Sequence, residues 1–455
     1  MTTLAKNRLV LALLLLGWLG LATPALAQSS SDPLGPLVSE ALRANLGLAA
    51  ERLSEQRAGV QVHAARALFL PSVLLESRYS RLENVPNIGD FVNPAYSALN
   101  GLLGQNRFPT NLDITLPQRH DSHLALRQPL FNASILANYS AARSRADGQS
   151  FERRGAARRL AADVQSAYLT QARARRAVEI LAATLTLVQE NERVAGRLVA
   201  AGRATPEALF RARADRSEVE QQLAEVRQRH AAAVRVLNQM LHRPLDAPVD
   251  DIPDSAFTPS LTISADSAVR SAIAGREELR QVDAGIREGH AGVRAATAAF
   301  LPSVSLGFDY GFQGRDVEFR STQDYWVASL VVSWNVFNGG GDVARRAAAQ
   351  LEVDRAQTLR EDLEDRIELE VRTSYEAATV AQAAIATADD RLAAARRTFE
   401  LVRRRYEEGA ASPIELVDAR TSLTSAELNR VVTAYQYALR YVDLERAAAL
   451  RVITP

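Results

Sequence analysis

The side chains with catalytic potential in this sequence do not form a catalytic set. His120 and His123 are spaced for opposite faces of a strand, and no third metal-ligating residue is spaced to join them. We therefore expect surface histidines and no metal site. The chain has no cysteine, no His-Glu-x-x-His motif, no nucleophile elbow and no pair of catalytic carboxylates. The sequence predicts a protein that is not an enzyme and that needs no cofactor.

The glycine run at residues 339–341 could be mistaken for a phosphate-binding loop. It lacks the Lys-Ser/Thr pair and the strand–helix setting of such a loop. Glycine permits sharp backbone turns, so we expect a join here between a strand and a helix. The net charge of +1 over 455 residues gives no electrostatic reason to expect a nucleic-acid partner.

The N-terminus predicts secretion. Lys6 and Arg8 precede a short apolar run, and Ala25 and Ala27 stand where a signal peptidase reads small residues. We expect residues 1–27 to be a signal peptide, because the run is too short for the alternative, a membrane anchor. Elsewhere no stretch reaches the roughly 18 to 20 apolar residues that a spanning helix needs. A helical membrane protein is therefore excluded.

The chain contains two copies of one unit. The segment Phe-Leu-Pro-Ser-Val at residues 69–73 recurs at residues 300–304, and the positions before it agree at the same offset. We predict a first structural repeat over residues 28–250 and a second over residues 251–455.

Each copy has the same predicted order of helix, strand, strand, helix and helix. Stretches rich in Ala, Leu, Arg and Glu indicate helices, and alternating apolar and polar residues indicate strands. The predicted helices span about 33–70, 132–200 and 206–242 in the first copy and about 268–300, 338–408 and 413–450 in the second. The predicted strands span about 72–82 and 120–131, then about 303–313 and 325–337. Glycine followed by Ser/Thr-Pro between the last two helices of each copy predicts an antiparallel helical hairpin.

The predicted lengths require partners. A continuous helix of about 68 residues is roughly 100 Å long, so it needs other helices along its whole length. The strands fit a membrane barrel, although an ordinary half-buried sheet has the same pattern. Four strands cannot close a barrel, and a membrane does not tolerate an open sheet edge. A dimer or a trimer could close one, and the twelve strands of a trimer would readily leave an open duct.

Together these features resemble the TolC-like outer membrane efflux protein family, the outer membrane factors. The most specific matches are residues 300–303, 335–340 and 406–419, the last of which is similar to the family's tyrosine–glycine–serine–leucine–aspartate signature. The resemblance implies an α+β membrane protein: a homotrimer whose twelve strands form one β-barrel and whose helices form a coiled-coil tunnel. It places the barrel in the bacterial outer membrane, in contact with its lipid, and the helices in the periplasm.

The resemblance also implies a function and partners. Such proteins are the passive exit ducts of tripartite efflux systems, including multidrug efflux, or of type I secretion systems. They work with a periplasmic adaptor and with a proton-driven or ATP-driven (ABC) pump of the inner membrane.

Gate residues follow from the same resemblance. Glu415 and Asp418, one turn apart, would ring the periplasmic entrance, and Tyr406 would help to hold it closed. The arginine and the acid that complete the family's ionic lock are replaced by Ala411 and Ala208. As a gate, these acids would form rings of carboxylates, which attract cations in channels. The alternative is that both are ordinary solvated acids in a first helical turn, where the helix dipole favours negative charge.

Adaptor docking is the second implied role. Gly202, Thr205, Gly409 and Ser412 would flank the grooves that receive the adaptor. Helix capping alone is the alternative explanation for each of them.

The remaining segment of interest is residues 84–118, which contain four prolines with several Asn and Gly residues. We predict a long loop between strands on the cell exterior, either solvated or lying over the barrel mouth.

Two other classes of protein compete with the export duct. A soluble periplasmic coiled-coil adaptor or scaffold would explain the helices but not the strands, and a secreted enzyme has no recognisable site.

Overall fold

The described part of the chain contains two long helical hairpins, five shorter helices and one four-stranded antiparallel sheet. The computed structural model describes residues 33–81, 86–114, 119–253, 260–314 and 316–453. The predicted signal peptide lies outside the described residues. No helix among them is both long and apolar enough to cross a membrane.

The order of helices and strands is the same in both halves of the chain, apart from one additional helix. The first half contains α1 (Gly35–Ala44), α2 (Leu46–Ala67), β1 (Ser72–Tyr79), α3 (Gly89–Leu103), β2 (His120–Phe131), α4 (Ala133–Ala200) and α5 (Pro206–Met240). The second half contains α6 (Ala265–Gly275), α7 (Glu277–Ala298), β3 (Ser303–Gly314), β4 (Asp324–Ser333), α8 (Gly341–Glu407) and α9 (Pro413–Ala447). The predicted α+β fold is confirmed, and the additional helix is α3.

The hairpins consist of α4 with α5 and of α8 with α9. Helices α4 and α8 contain 68 and 67 residues, about 100 Å each at 1.5 Å per residue. The Asn132 side chain caps α4 by accepting a hydrogen bond from the Ser134 amide at 3.0 Å. Helix α4 also packs against α2, α7 and α9, so it has partners along much of its length.

Positions that recur between the two halves of the sequence form the core of each half. Ala41 and its counterpart Ala272 are fully buried, as are Val164 and its counterpart Val371. The first pair lies on the short N-terminal helix of each half and the second on the long helix. Burial of these small side chains lets the helices approach closely, which explains why the same residue types recur.

The helices predicted at 33–70 and 268–300 are each divided by one extended residue, and those two predictions are wrong at that point. Asn45 has φ −65° and ψ 126°, and Arg276 has φ −70° and ψ 129°. The side-chain amide Nδ2 of Asn45 donates to the Met240 carbonyl at 3.0 Å, and the Arg276 guanidinium donates to the Ala447 carbonyl at 3.4 Å. These carbonyls belong to the last residues of α5 and α9. Each break therefore satisfies an unpaired carbonyl at the end of a hairpin.

The four strands pair in chain order, β1-β2-β3-β4, all antiparallel. One face of the sheet carries apolar side chains such as those of Phe308 and Trp326, and Trp326 is 68% exposed. The other face carries polar groups, including Arg127, whose Nη1 and Nη2 donate to the Asp309 carboxylate at 2.7 and 3.1 Å. In this chain the sheet thus exposes an apolar face while its polar face forms ion pairs.

Two strands are shorter than predicted. The strand predicted at 325–337 ends at Ser333, because its partner residue Ser303 is the first residue of β3. The chain then leaves the sheet, and the Trp334 indole donates to the Phe300 carbonyl at 3.1 Å. The strand predicted at 72–82 ends at Tyr79, which pairs with the first residue of β2.

The turn into α8 uses the glycine run. Gly339 and Gly340 have φ values of +70° and +82°, in the left-handed region that favours glycine. Asn338 Oδ1 then accepts a hydrogen bond from the Asp342 amide at 3.2 Å. The join between strand and helix is therefore a defined turn.

The loop predicted at 84–118 contains a helix, so that prediction is wrong for α3. Asparagine side chains, which suggested a loop, instead bind the segment that follows the helix. Asn93 and Asn100 both hydrogen-bond to backbone groups of that segment. Pro94 lies inside the helix, in its second turn, where its missing amide removes the hydrogen bond that the Asp90 carbonyl would otherwise accept.

Candidate functional site

The turns at the ends of the two hairpins have the same geometry. Gly202 and Gly409 follow α4 and α8 with φ values of +66° and +78°. In the first turn the Arg203 amide donates to the Leu198 carbonyl at 2.8 Å, and the second turn has the equivalent bond. A helix end with this hydrogen bond requires a residue in the left-handed conformation, which is why each turn has a glycine there.

The start of the next helix differs between the two tips. Ser412 forms a capping box with Glu415: the Glu415 amide donates to Ser412 Oγ at 3.3 Å, and the Ser412 amide donates to Glu415 Oε1 at 3.1 Å. Thr205 precedes α5 and makes no side-chain cap of that kind. The second tip is therefore the more firmly capped one.

The two predicted gate acids have different environments. Glu415 is bound in the cap, and Arg405 Nη1 lies 3.8 Å from its Oε2. Hydrogen bonds from the Ser412 backbone and side chain lower the pKa of the Glu415 carboxyl, and Arg405 adds to this. Asp418 is exposed on the next turn of α9. Of the two acids, Asp418 is the one whose carboxylate is free of the cap.

A cavity of about 340 Å³ lies between the two tips. It brings together three of the predicted gate and docking residues, Tyr406, Ser412 and Thr205, and Ala208 lines it as well. Among the described residues, Glu415 and Asp418 do not line this cavity. The structure thus places the predicted tyrosine between the hairpins and the two acids outside that space.

A second cavity of about 270 Å³ continues the first one away from the tips, between α4, α5 and α9. Arg420 reaches across it, and its Nη2 donates to the Thr184 carbonyl at 2.5 Å. Thr184 Oγ1 also lies 3.3 Å from Thr424 Oγ1. These contacts join the second hairpin to the first, and the sequence analysis did not identify them.

Asp215 of α5 faces the same cavity. Burial raises the pKa of the Asp215 carboxyl and Glu218 adds to this, while Arg211 and Arg420 act in the opposite direction. Burial also lowers the pKa of the Arg420 guanidinium, which Asp215 opposes. The cavity therefore disfavours both charges, and each is partly compensated by the other.

The amino-acid sequence gives only a weak indication that Thr184 and Arg420 are in contact. Thr184 interrupts the apolar seam of α4, and Arg420 follows the predicted gate residue Asp418 by two positions. Neither feature indicates a contact, because the partner residues lie on different helices. Only the packing of α9 against α4 brings them together.

One of the two histidines is placed differently from the prediction. His120 is only 1% exposed, and its Nε2 lies 2.8 Å from Ser122 Oγ. The prediction of a surface residue is wrong for His120, because the Phe319 ring packs over it at 5.6 Å. His123 Nδ1 lies 3.2 Å from Asp121 Oδ1. Within the described ranges, no three His, Cys, Asp or Glu side chains form a metal-binding group.

Curated proteins match parts of this chain. Protein CyaE of Bordetella pertussis is 29% identical over 219 residues, which are 47% of this chain and 43% of CyaE. The toluene efflux pump outer membrane protein TtgI of Pseudomonas putida is 26% identical over 161 residues, 33% of each chain. The chain therefore spans less than half the length of these curated relatives.

Solved structures match over nearly the whole chain. CusC, whose crystal structures concern transmembrane channel formation, has a TM-score of 0.75 at 20% identity and covers 91% of both chains. The open state of the MtrE outer membrane channel of Neisseria gonorrhoeae has a TM-score of 0.73 at 20% identity, covering 91% of this chain and 88% of MtrE. At this level of identity the likeness shows a common fold.

The sequence profile of outer membrane efflux proteins matches residues 37–242 and 268–450. These two segments correspond to the two halves of the fold and include both hairpins and all four strands. The protein belongs to the outer membrane efflux protein family.

Proposed function

We propose that the protein is the outer-membrane channel of a tripartite efflux or type I secretion system. It is a passive exit duct for substrates that an inner-membrane pump delivers through a periplasmic adaptor. The observation that carries this proposal is the direct connection of a sheet with an exposed apolar face to helices about 100 Å long. An apolar exterior and a polar interior are what a membrane barrel requires.

A homotrimer completes the barrel. Strands β1 and β4 are the two ends of the sheet, and each has one edge without a partner strand in the described part of the chain. Such edges are not tolerated in lipid, so β1 of one copy pairs with β4 of the next. Three copies provide twelve strands, enough to leave a lumen.

The outer membrane contains the barrel, and the hairpins extend into the periplasm. The exposed apolar side chains of β4, including Leu330 at 65% and Val332 at 62%, contact lipid. A soluble adaptor or scaffold would leave these side chains in water, at a cost of about 25 cal/mol for each Å² of apolar surface. The name of the relative TtgI supports efflux as the broad function.

The hairpin tips form the periplasmic entrance, with Tyr406, Glu415 and Asp418 as its gate residues. Asp418 is the main charge of the ring, because the Glu415 carboxylate is engaged by Ser412 and Arg405. Tyr406 contributes by packing between the hairpins, where it lines the cavity.

The adaptor docks beside the same turns, at grooves flanked by Gly202, Thr205, Gly409 and Ser412. Both glycines are exposed, and a Cβ at either position would meet no neighbouring atom. A backbone without side chains offers close approach to another helix. The contact region is therefore accessible at both tips.

Bilayer conductance tests both the duct and its gate. The purified protein is expected to form cation-selective channels, and Asp418→Asn is expected to reduce that selectivity because it removes three charges from the constriction. Glu415→Gln, the matched variant one turn away, is expected to have a smaller effect. A protein that forms no channels would contradict the proposed function, and equal selectivity in all three proteins would contradict only the gate assignment.

A further inference from the structure

Helix α3 is attached to its own chain by its polar face. Asn93 exchanges two hydrogen bonds of 2.8 Å with the backbone of Leu112. Asn100 donates to the Phe108 carbonyl at 2.7 Å and accepts from the Phe108 amide at 2.9 Å. A Cβ at Gly89 would overlap the Leu112 carbonyl oxygen, so only glycine fits at the start of this helix. Residues 104–114, here called the strap, therefore cover the polar face of α3.

The opposite face of α3 is apolar and exposed. Phe91 is 81% exposed and Leu102 is 85% exposed. At 100° per residue, these two side chains share one stripe with three others. We call this set the α3 stripe: Phe91, Ala95, Ala98, Leu99 and Leu102, all of them exposed. A contiguous, exposed apolar stripe marks a contact surface.

The charge of α3 argues against a lipid surface as its partner. Helices that lie on membranes carry Lys and Arg on their polar face and are attracted to anionic lipid. Asp90 is the one charged residue between Gly89 and Leu103. The polar face of α3 is occupied by the strap, which contains one basic and one acidic residue, Arg107 and Asp113. The helix and the strap together therefore have no excess of basic groups to offer to lipid headgroups.

The sheet register indicates what lies beside the stripe. Tyr79 at the end of β1 pairs with His120, which pairs with Gly314 at the end of β3. The β1–β2 connection, with α3, and the β3–β4 connection therefore lie at the same rim of the sheet. The β3–β4 connection also exposes apolar side chains, Val317 at 58% and Phe319 at 65%.

Barrel closure brings these two apolar segments together across copies. When β1 of one copy pairs with β4 of the next, α3 follows the first strand and the β3–β4 connection precedes the second. We propose that the α3 stripe packs on residues 316–323 of the neighbouring copy. In the trimer this contact occurs three times, and we call the resulting ring of contacts at the outer mouth of the barrel the collar. This inference rests on the trimeric barrel of the proposed function.

Disulfide cross-linking tests the collar, because the chain has no cysteine of its own. The variant with Leu102→Cys and Val317→Cys, oxidised in outer-membrane vesicles, is expected to yield disulfide-linked multimers on denaturing gels. The matched control replaces Leu102→Cys by Ser97→Cys, at an exposed residue about 140 to 150° away on the same helix. We expect several-fold less linked product from the control. Equal yields, or monomers alone, from a protein that still migrates as an unboiled trimer would overturn the collar and leave the duct intact.

A nitroxide spin label attached to the single variant Leu102→Cys distinguishes a protein contact of the α3 stripe from contact with lipid or with solvent. In proteoliposomes it is expected to be shielded from both dissolved oxygen and a water-soluble nickel chelate. Preferential contact with oxygen would assign the stripe to lipid, and preferential contact with the chelate would assign it to solvent. Either result overturns the collar. Absence of the trimer in the unmodified protein would instead refute the proposed function together with this inference.

Discussion

Two carboxylates near the hairpin tips, Glu415 and Asp215, respond to pH in opposite directions. The Ser412 cap lowers the pKa of Glu415, so its contribution to stability is present above its ordinary pKa and is lost as pH falls through the lowered value. Burial raises the pKa of Asp215 above its ordinary value of 3.8. The contribution of Asp215 to stability is therefore fully present below the ordinary pKa of 3.8 and is lost as the pH rises through the raised pKa. Acidification therefore weakens the cap and strengthens the contact between the hairpins.

The substitution Asp215→Asn is expected to remove the second of these effects. Between neutral pH and about pH 4, the protection of the α4 segment around Thr184 against hydrogen exchange, relative to the intrinsic rate of an unfolded chain at the same pH, should rise in the wild-type protein, because protonation removes an unfavourable charge. In Asp215→Asn the protection of that segment should already be high at neutral pH. Glu415→Gln serves as the control, since it changes the cap and leaves the inter-hairpin cavity intact. The same pH dependence in wild type and Asp215→Asn would show that this carboxyl does not control the contact.

At the scale of helices and strands, a buried ion pair joins the two halves of the chain. Arg158 of α4 and Glu277 of α7 form two hydrogen bonds of 2.8 Å, and their side chains are only 12% and 11% exposed. Arg158 also donates to the Arg451 carbonyl at 2.7 Å. The pair thus fixes α4, α7 and the C-terminal segment at one place.

Removal of one partner of this pair should be costly. Arg158→Ala is expected to lower the free energy of unfolding by about 3 to 5 kcal/mol, because it leaves a buried carboxylate without its partner. Replacement of both, Arg158→Met with Glu277→Leu, should cost much less, since no charge is then left buried. Denaturant unfolding of the three proteins measures the difference. A single variant no less stable than the double variant would refute the importance of the pair.

Local signals predicted the helices and strands, and long-range contacts account for the errors. Glycine and Ser/Thr-Pro punctuation marks the hairpin turns because helix ends need those residue types whatever lies nearby. The breaks at Asn45 and Arg276 have no such local signal, since they are stabilised by carbonyls about 170 to 200 residues away. The contact of Arg420 with Thr184 has the same origin. Composition predicted a loop around α3 because asparagine favours turns, whereas its side chains here bind the strap.

At the scale of the whole molecule, one chain is an incomplete object. Its sheet has an apolar face in water and two unpaired edges in the described part of the chain. In the proposed duct, membrane lipid covers the face and two further copies cover the edges. Assembly and membrane insertion therefore depend on each other in the proposed duct.

Electrophoresis of the outer-membrane fraction, with and without boiling, tests this dependence most directly. The protein is expected to migrate as a trimer when unboiled and as a monomer of 49.6 kDa or slightly less after boiling, because barrel closure joins the copies through strand hydrogen bonds. Release of a monomeric protein from intact cells by osmotic shock would contradict it, since a soluble periplasmic protein behaves in that way.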